Sequence, residues 1–254
     1  MDILKRDFTS DEFADVLDAV GIDGAVTVQA RHDIEETEWL LDVAHDTPEI
    51  LGVVGWVDLT DAHVDRHLER LTQDPMLVGL RHAVQDEPDD AFMLREDFNR
   101  GVARLHGYGL TYDILIYPNH LENTLLFVDR HPDQLFVLDH VAKPRIRNRE
   151  IASWQEGLTA LARRSNCYCK LSGLVTEADW QKWTVGEIRP YLDAALDAFG
   201  PKRIMFGSDW PVCLLACDYS RWYHLVDDYL ANLSPHERDR IWGETAAEAY
   251  RLEA

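Results

Sequence analysis

Short apolar runs alternate with amphipathic stretches along the whole chain, and this alternation constrains the fold more than any other feature of the sequence. Each run is rich in Val, Ile and Leu and closes on a polar residue, which predicts a strand followed by a helix. Seven runs predict strands at residues 25–29, 50–57, 78–82, 110–116, 135–140, 167–172 and 203–207. Strands that alternate with helices form parallel sheets with right-handed crossovers. The sequence therefore predicts an α/β fold.

Amphipathic periodicity predicts the helices between these strands. Thr9 and Glu12 resemble a capping box ahead of an apolar stripe that Gly21 ends. Similar patterns predict helices near residues 33–45, 61–73, 92–106, 120–131, 150–164, 188–199 and 235–251.

The strand count bears on closure of the sheet. A chain of 254 residues suits one TIM-like (β/α) barrel, which typically needs about 250 residues and eight strands. This sequence opens on a helix and then supplies seven strands, so we predict that the first strand is missing or replaced. A truncated start, imperfect closure or another segment in the gap would each account for it. An open doubly wound sheet is the alternative fold. We expect residues 1–254 to form a single domain.

Composition narrows the class of partner. The 46 acidic and 25 basic residues give a net charge of −21, which repels phosphate backbones and anionic lipids. We therefore expect a small-molecule substrate and neither nucleic-acid nor membrane partners. No apolar run long enough for a membrane span and no signal-peptide pattern is present, so we expect a cytoplasmic protein. The four cysteines are predicted to be reduced thiols, because their spacings fit zinc-binding pairs poorly.

Polar side chains close the predicted strands, and the carboxyl ends of parallel strands meet at one rim. Asp209 is predicted to be a general base or metal ligand, with a helix-cap or turn aspartate as the alternative. His140 is predicted to bind metal or to stabilise an oxyanion, with a hydrogen-bonded core histidine as the alternative. The substrate-binding candidates at the other strand ends are Gln29, Trp56, Arg81, His82, Tyr112 and Lys170.

Several of these candidates have a structural alternative. Arg81 and His82 must point to opposite faces of a strand, so we expect one of them to reach the site and the other to pair with a carboxylate. Arg81 and Lys170 suit an anionic or hydroxyl-rich substrate, or a buried salt bridge. Tyr112 and Trp56 can line a pocket or belong to the core. The nine other histidines, His32 among them, are predicted to be surface or capping residues.

Motifs for other chemistries are absent from the sequence. It contains no P-loop, no G-x-G-x-x-G after a strand, no G-x-S-x-G elbow and no H-E-x-x-H. Nucleotide-driven, dinucleotide-dependent and serine-nucleophile reactions are therefore disfavoured.

The strand-end segments resemble the amidohydrolase-2 family, and within it the sugar-lactonase branch of L-fuconolactonases and L-rhamnono-γ-lactonases. The resemblance lies in residues 26–30, 52–58, 78–82, 112–113, 137–144, 170–173 and 203–211, which occur in family order. It implies a (β/α)₈ barrel that hydrolyses a lactone or related ester. It also implies that His140 binds metal or substrate, that Asp209 activates water, and that Arg81, Lys170, Gln29 and Trp56 line the pocket.

One departure from the family pattern affects the metal site. Family members begin with a strand carrying His-x-His, which this chain lacks. His140 and Asp209 are then the remaining metal ligands, and catalytic zinc normally takes three from the protein. We therefore expect one divalent metal, such as zinc, to be weakly bound or absent.

The sequence supports one leading function and two alternatives. In the leading one, Asp209 activates water that opens a sugar-acid lactone, while His140 with Lys170 or Arg81 stabilises the oxyanion. The alternatives are a decarboxylase of the same superfamily, acting on a carboxylate substrate, and a truncated or inactive barrel that acts as a binding protein. Exposed sheet edges would suit a homodimer.

Overall fold

Seven parallel strands form one sheet in which neighbours in space are neighbours in sequence. The computed structural model describes residues 1–252. The strands are β1 (Ala25–Val28), β2 (Ile50–Gly55), β3 (Leu77–Ala83), β4 (Thr111–Leu115), β5 (Phe136–Leu138), β6 (Cys167–Leu171) and β7 (Ile204–Phe206). Each pairs with the next in parallel, in the order β1 to β7. This confirms the seven predicted strands and their direction.

Helices precede, separate and follow the strands, and most of them cover the outside of the sheet. They are α1 (Ser10–Asp18), α2 (Ile34–Asp46), α3 (Val64–Leu71), α4 (Glu96–Leu105), α5 (Leu121–Asp129), α6 (Ala152–Ala162), α7 (Val185–Phe199), α8 (Tyr219–Leu230), α9 (Pro235–Asp239) and α10 (Thr245–Tyr250). The predicted cap of α1 is present, because the Thr9 side chain accepts a hydrogen bond from the Glu12 N–H at 3.2 Å. Among residues 1–252, no helix is long and apolar enough to cross a membrane.

Two helical regions differ from the sequence prediction. Helix α8 was not predicted, because its aromatic and β-branched residues have modest helix propensity. It forms because Trp222 and Val226 are buried against the sheet and Asp218 caps its first turn. The predicted helix at 235–251 is present as one continuous helical stretch from residue 235 to residue 250, but a π-helical turn, Arg240–Glu244, interrupts its α-helical geometry.

The inner face of the sheet packs against itself. Val54 of β2, Val137 of β5 and Met205 of β7 belong to one buried cluster, although their strands are well separated in the sheet. Side chains from such distant strands can meet on one face only if the sheet curls around them. The fold is therefore a TIM-like (β/α) arrangement, and the doubly wound alternative, with helices on both faces, is wrong.

The C-terminal helix completes this inner core. Ala249 and Tyr250 of α10 join the same buried cluster. The Thr111 hydroxyl of β4 donates to the Ala249 carbonyl at 2.6 Å. The preceding π-helical turn packs on β7, where the Trp242 and Phe206 ring centroids are 4.6 Å apart. The end of the described chain thus lies inside the curled sheet.

The sheet has two ends within residues 1–252, because β1 and β7 each pair on one side only. Near the carboxyl end of β7, the rings of Phe8 and Phe13 lie 5.3 and 5.6 Å from that of Trp210. The N-terminal segment therefore packs beside the loop that follows β7. The missing or replaced first strand stays a prediction.

Candidate active site

His140 and Asp209 face each other at the carboxyl ends of the strands. His140 follows β5 and Asp209 follows β7, and His140 Nε2 lies 3.6 Å from Asp209 Oδ1. Their side chains are 10% and 14% exposed, so both are largely buried yet reachable from the mouth. The two residues predicted to carry the chemistry are therefore brought together.

The orientation of His140 is set by β6. Its Nδ1 is 2.8 Å from the Ser172 hydroxyl, directly after that strand. The next residue, Gly173, packs against the imidazole, since a Cβ there would lie 2.8 Å from His140 Cβ and Cγ. Burial lowers the pKa of His140, against the opposing effect of Asp209. A neutral ring that accepts from Ser172 at Nδ1 carries its proton on Nε2, toward Asp209.

A left-handed backbone segment presents His140. The four residues from His140 to Lys143 have φ values of 50°, 53°, 58° and 47°. Each non-glycine residue in this region costs about 1 kcal/mol or more. The segment is held from outside, because the Trp154 indole donates to the Val141 carbonyl at 2.7 Å. Asp209 is also left-handed, with φ of 55°. Strain of this kind concentrates at functional sites.

A layer of four buried charges lies beneath the pair. Arg81 Nη1 lies 2.9 Å from Asp139 Oδ2, and Lys170 Nζ lies 2.7 Å from Asp139 Oδ1. Lys170 also contacts Asp113 at 2.5 Å. Burial raises the pKa of Asp139, but Lys170 and Arg81 outweigh it and lower the pKa overall. Two cations and two carboxylates thus form a compact, balanced network.

Arg81 and Lys170 are predominantly parts of this network. Each side chain is 12% exposed. Arg81 also donates to the Gln29 carbonyl, and the Gln29 amide donates to the Arg81 carbonyl at 3.0 Å. The sequence left two roles open for Arg81 and Lys170, substrate binding or a buried salt bridge. The structure shows the buried salt bridge for both. Gln29 is buried beside them and ties the end of β1 to β3.

Three other predicted substrate-binding residues make their contacts with residues other than His140 and Asp209. Tyr112 points outward between Phe98 and Phe127, and it is fully buried in the layer between sheet and helices. It cannot contact a substrate at the mouth, because strand alternation turns Asp113 inward instead. His82 also points outward, with its Nε2 2.7 Å from Glu87. The Trp56 indole donates to His82 Nδ1 at 3.1 Å.

Two groups of side chains have the donor atoms that a metal site requires. At the mouth, His140 Nε2 and Asp209 Oδ1 converge, but within residues 1–252 they do not belong to a group of three metal-binding side chains. His32, His82 and Glu87 do bring three ligand atoms within 4.8 Å of one another.

The lone pairs of that second group are already used. His32 Nε2 accepts from the Ala83 N–H at 2.9 Å, as His82 Nδ1 does from Trp56. A neutral imidazole has one lone pair, so neither ring has one left for a metal. The rings are also stacked, with centroids 4.0 Å apart, so their in-plane lone pairs run side by side and do not point at one common metal position. Neither group therefore fits a three-ligand catalytic zinc site.

The sequence analysis missed several residues of the site. Asp139 and Gly173 lie next to assigned residues, and strand alternation was the available signal for Asp139. Glu177, in the loop after β6, was missed entirely. Burial raises its pKa to about 7, against the effect of Lys143 and with a further contribution from Asp209. The Lys143 ammonium lies 5.6 Å from the Tyr117 ring centroid. His32 is exposed, as predicted for a surface residue, and its ring stacks on those of His82 and Trp56.

The fold and the site together define a class. A curled parallel sheet with outer helices and a histidine–aspartate pair at the strand carboxyl ends is the arrangement of a (β/α)-barrel enzyme. Comparison with known proteins gives the family: residues 3–252 match the model of the amidohydrolase family Amidohydro_2. The chain belongs to this amidohydrolase family.

Two curated relatives are similar over nearly the whole chain. An L-fucono-1,5-lactonase of Burkholderia multivorans is 42% identical over 265 residues, which cover 99% of this chain and 88% of the relative. An L-fucono-1,5-lactonase of Burkholderia ambifaria is 35% identical over 257 residues, covering 100% and 88%.

Solved structures of an amidohydrolase from Burkholderia multivorans have the same fold. One, with bound HEPES, superimposes with a TM-score of 0.96 at 40% identity and covers 100% of this chain and 92% of its own. Another, with bound zinc, has a TM-score of 0.95 at 42% identity with the same coverage.

Proposed function

We propose that this protein hydrolyses the lactone of a sugar acid. The observation that carries the proposal is the pairing of His140 Nε2 with Asp209 Oδ1 at the barrel mouth, 3.6 Å apart. The family, and the two relatives named as L-fucono-1,5-lactonases, support a lactone as the substrate class. A lactone is an activated ester, so a positioned base and one oxyanion donor can catalyse its opening.

Asp209 is the base in the proposed reaction. Its carboxylate takes a proton from a water molecule while the water oxygen bonds to the lactone carbonyl carbon. The carbonyl π electrons move to oxygen and form a tetrahedral oxyanion. When the oxyanion collapses, the bond to the ring oxygen breaks and protonated Asp209 gives its proton to that oxygen. The product is the hydroxy acid, which releases its proton to solvent.

His140 is the oxyanion donor in this scheme. Its Nε2–H is oriented by the Ser172 hydroxyl on Nδ1 and by Gly173 behind the ring. A neutral imidazole that donates a hydrogen bond to the developing charge lowers the barrier without itself losing a proton. Arg81 and Lys170 are held by carboxylates below, so we assign them to the support of the site rather than to the oxyanion.

Substitution of the base tests the proposal. Wild type should release acid from sugar γ- and δ-lactones, and Asp209→Asn should lower kcat by roughly 10²–10⁴-fold. Asp58→Asn is the matched control, because Asp58 follows another strand, β2, and its Oδ1 accepts from both the N–H and the hydroxyl of Thr60. Equal rates for wild type and Asp209→Asn would remove Asp209 from the mechanism. Release of CO₂ from an aromatic acid, without lactone opening, would favour the decarboxylase alternative.

Metal removal is a separate test of the site. The proposed steps use only Asp209, His140 and water, because the described residues give His140 and Asp209 no third protein ligand. We expect kcat to stay within about twofold after dialysis against a chelator. Loss of activity on dialysis, with recovery on addition of zinc, would contradict this expectation and would assign His140 and Asp209 as ligands.

A further inference from the structure

We propose that Tyr250, on the C-terminal helix, is a positioning residue for the active site and acts through Asp113 and Lys170. The inference rests on the proposed lactone hydrolysis and extends it to a residue that contacts the charged layer from the C-terminal helix. Tyr250 is 2% exposed, and its hydroxyl lies 2.9 and 2.8 Å from the two carboxylate oxygens of Asp113. These residues are 137 positions apart in the sequence.

The contact with Asp113 continues upward to His140. Lys170 Nζ bridges Asp113 Oδ2 and Asp139 Oδ1, at 2.5 and 2.7 Å. Asp139 directly precedes His140, the first residue of the left-handed segment. A shift of the Lys170 ammonium therefore acts on the backbone that presents the imidazole. The path from α10 to the proposed oxyanion donor consists of three short polar contacts and one peptide bond.

The hydroxyl of Tyr250 helps to keep Asp113 ionised. The groups that face Asp113 are Lys170 of β6, Asp139 of β5, Arg81 of β3 and Tyr250 of α10. Burial raises the pKa of Asp113 to about 6, and Lys170 and the Tyr250 hydrogen bond oppose that rise. Without the hydroxyl, the Asp113 carboxylate takes up a proton more readily, because a hydrogen bond to its charged form is lost.

Protonation of Asp113 has a definite structural consequence. The charged layer then holds Arg81, Lys170 and Asp139 as its ions, and its balance of two cations and two carboxylates is lost. Lys170 keeps one strong partner, Asp139, and moves toward it. Catalysis should therefore weaken as Asp113 takes up its proton.

The test is the pH profile of the Tyr250→Phe variant. For wild type we expect the acid limb of kcat near the Asp113 midpoint. For Tyr250→Phe we expect the limb to move up by about one pH unit, with wild-type kcat regained on the alkaline side and KM little changed. A residue that served only the fold would lower activity by the same factor at every pH. An unmoved acid limb in the folded variant would overturn the proposal.

Thr111→Val is the matched control. It removes the bond from the Thr111 hydroxyl to the Ala249 carbonyl, which anchors the same helix without touching Asp113. We expect it to lower the melting temperature and leave the acid limb in place. If Tyr250→Phe does not fold, Asp113→Asn gives the layer with a neutral residue at position 113 directly, and its kcat should then lack the limb and stay low at every pH. Wild-type kcat in Asp113→Asn would refute the role of the layer.

An NMR titration without substrate tests the coupling from Tyr250 to His140 separately from the proposed lactone hydrolysis. Carbon-13 NMR of labelled aspartate should show the Asp113 carboxyl titrating at a higher midpoint in Tyr250→Phe than in wild type. The His140 ring signals should shift with that same midpoint. If wild type opens no lactone but both shifts are seen, the proposed substrate is wrong and the coupling stands. If Asp113 moves and His140 does not respond, the coupling is wrong.

Discussion

The proposed base and the proposed oxyanion donor both have a backbone conformation that residues other than glycine seldom adopt. His140 and Asp209 have φ values of 50° and 55°. A glycine at either position would relieve the strain but would carry no chemistry. The residues that follow β6 hold His140 in this conformation, through the Ser172 hydroxyl on Nδ1 and through Gly173 behind the ring.

Gly173 should be intolerant of a side chain. Its φ is 65°, and a Cβ there would meet His140 at 2.8 Å. We expect Gly173→Ala to lower kcat by roughly tenfold or more, because small displacements of catalytic groups are costly. Gly21→Ala is the control, since Gly21 has a φ of 73° and open space around its Cα. If both variants lose stability and keep kcat, the position of His140 does not depend on Gly173.

Glu177 should make stability depend on pH. Its pKa of about 7 in the folded protein lies above the ordinary value of 4.5. Its stabilising contribution is therefore complete below about pH 4.5 and is lost as pH rises through 7. Relative to Glu177→Gln, wild type should lose on the order of 1–2 kcal/mol of unfolding free energy between pH 5 and 8, after allowance for solvent screening. Urea titrations at both pH values measure this, with exposed Glu156→Gln as control. A pH-independent difference between wild type and Glu177→Gln would contradict it.

Single residues show how far sequence reasoning reaches. Strand alternation predicted that Arg81 and His82 would face opposite sides and that one would pair with a carboxylate. In fact both do, with Asp139 and Glu87. The sequence could not show this, because each partner comes from a different loop or strand. The contact of Tyr250 with Asp113 had no signal in the sequence for the same reason.

The left-handed segment from His140 to Lys143 is the element on which the site depends most. Its sequence is His-Val-Ala-Lys, in which nothing marks a run of positive φ angles. Its support comes from α6, where Trp154 is buried and donates to the Val141 carbonyl. Tertiary contact, rather than local propensity, holds this conformation.

Removal of that hydrogen bond should affect catalysis as well as stability. We expect Trp154→Phe to lower the unfolding free energy by about 1–3 kcal/mol, through the unpaired Val141 carbonyl and lost packing. We also expect kcat to fall, because His140 is presented by the same segment. Trp183→Phe removes a comparable indole bond, to the Ala216 carbonyl, and serves as control. Equal kcat values for both variants would show that the segment holds its shape without Trp154.

Elements with strong apolar patterns were predicted well, and irregular ones were not. All seven strands were found because apolar runs of parallel strands are nearly continuous. Helix α8 was missed because tertiary burial of Trp222 and Val226 decides it. The π-helical turn at Arg240–Glu244 breaks a pattern that was predicted as one helix.

For the whole molecule, net charge is the dominant property. A charge of −21 on 254 residues destabilises the compact state by self-repulsion. We expect the melting temperature to rise by several degrees as NaCl increases from about 20 to 300 mM, because the Debye length falls. Scanning calorimetry at constant pH measures this. A melting temperature that falls with salt would show that the favourable ion pairs outweigh the repulsion.

Within residues 1–252, the curled sheet pairs on one side only at β1 and at β7, and a helix lies inside it, so the protein should respond differently to force applied at its two ends. Force applied at residue 252 would act first on α10, which is anchored by Thr111 and Asp113 rather than by a ladder of strand hydrogen bonds. The helix would leave before β7 separates from β6. In a pulling experiment, the protein with α10 extracted would keep its sheet and lose the support of His140. Activity should therefore be lost at a lower force than the force that separates the strands.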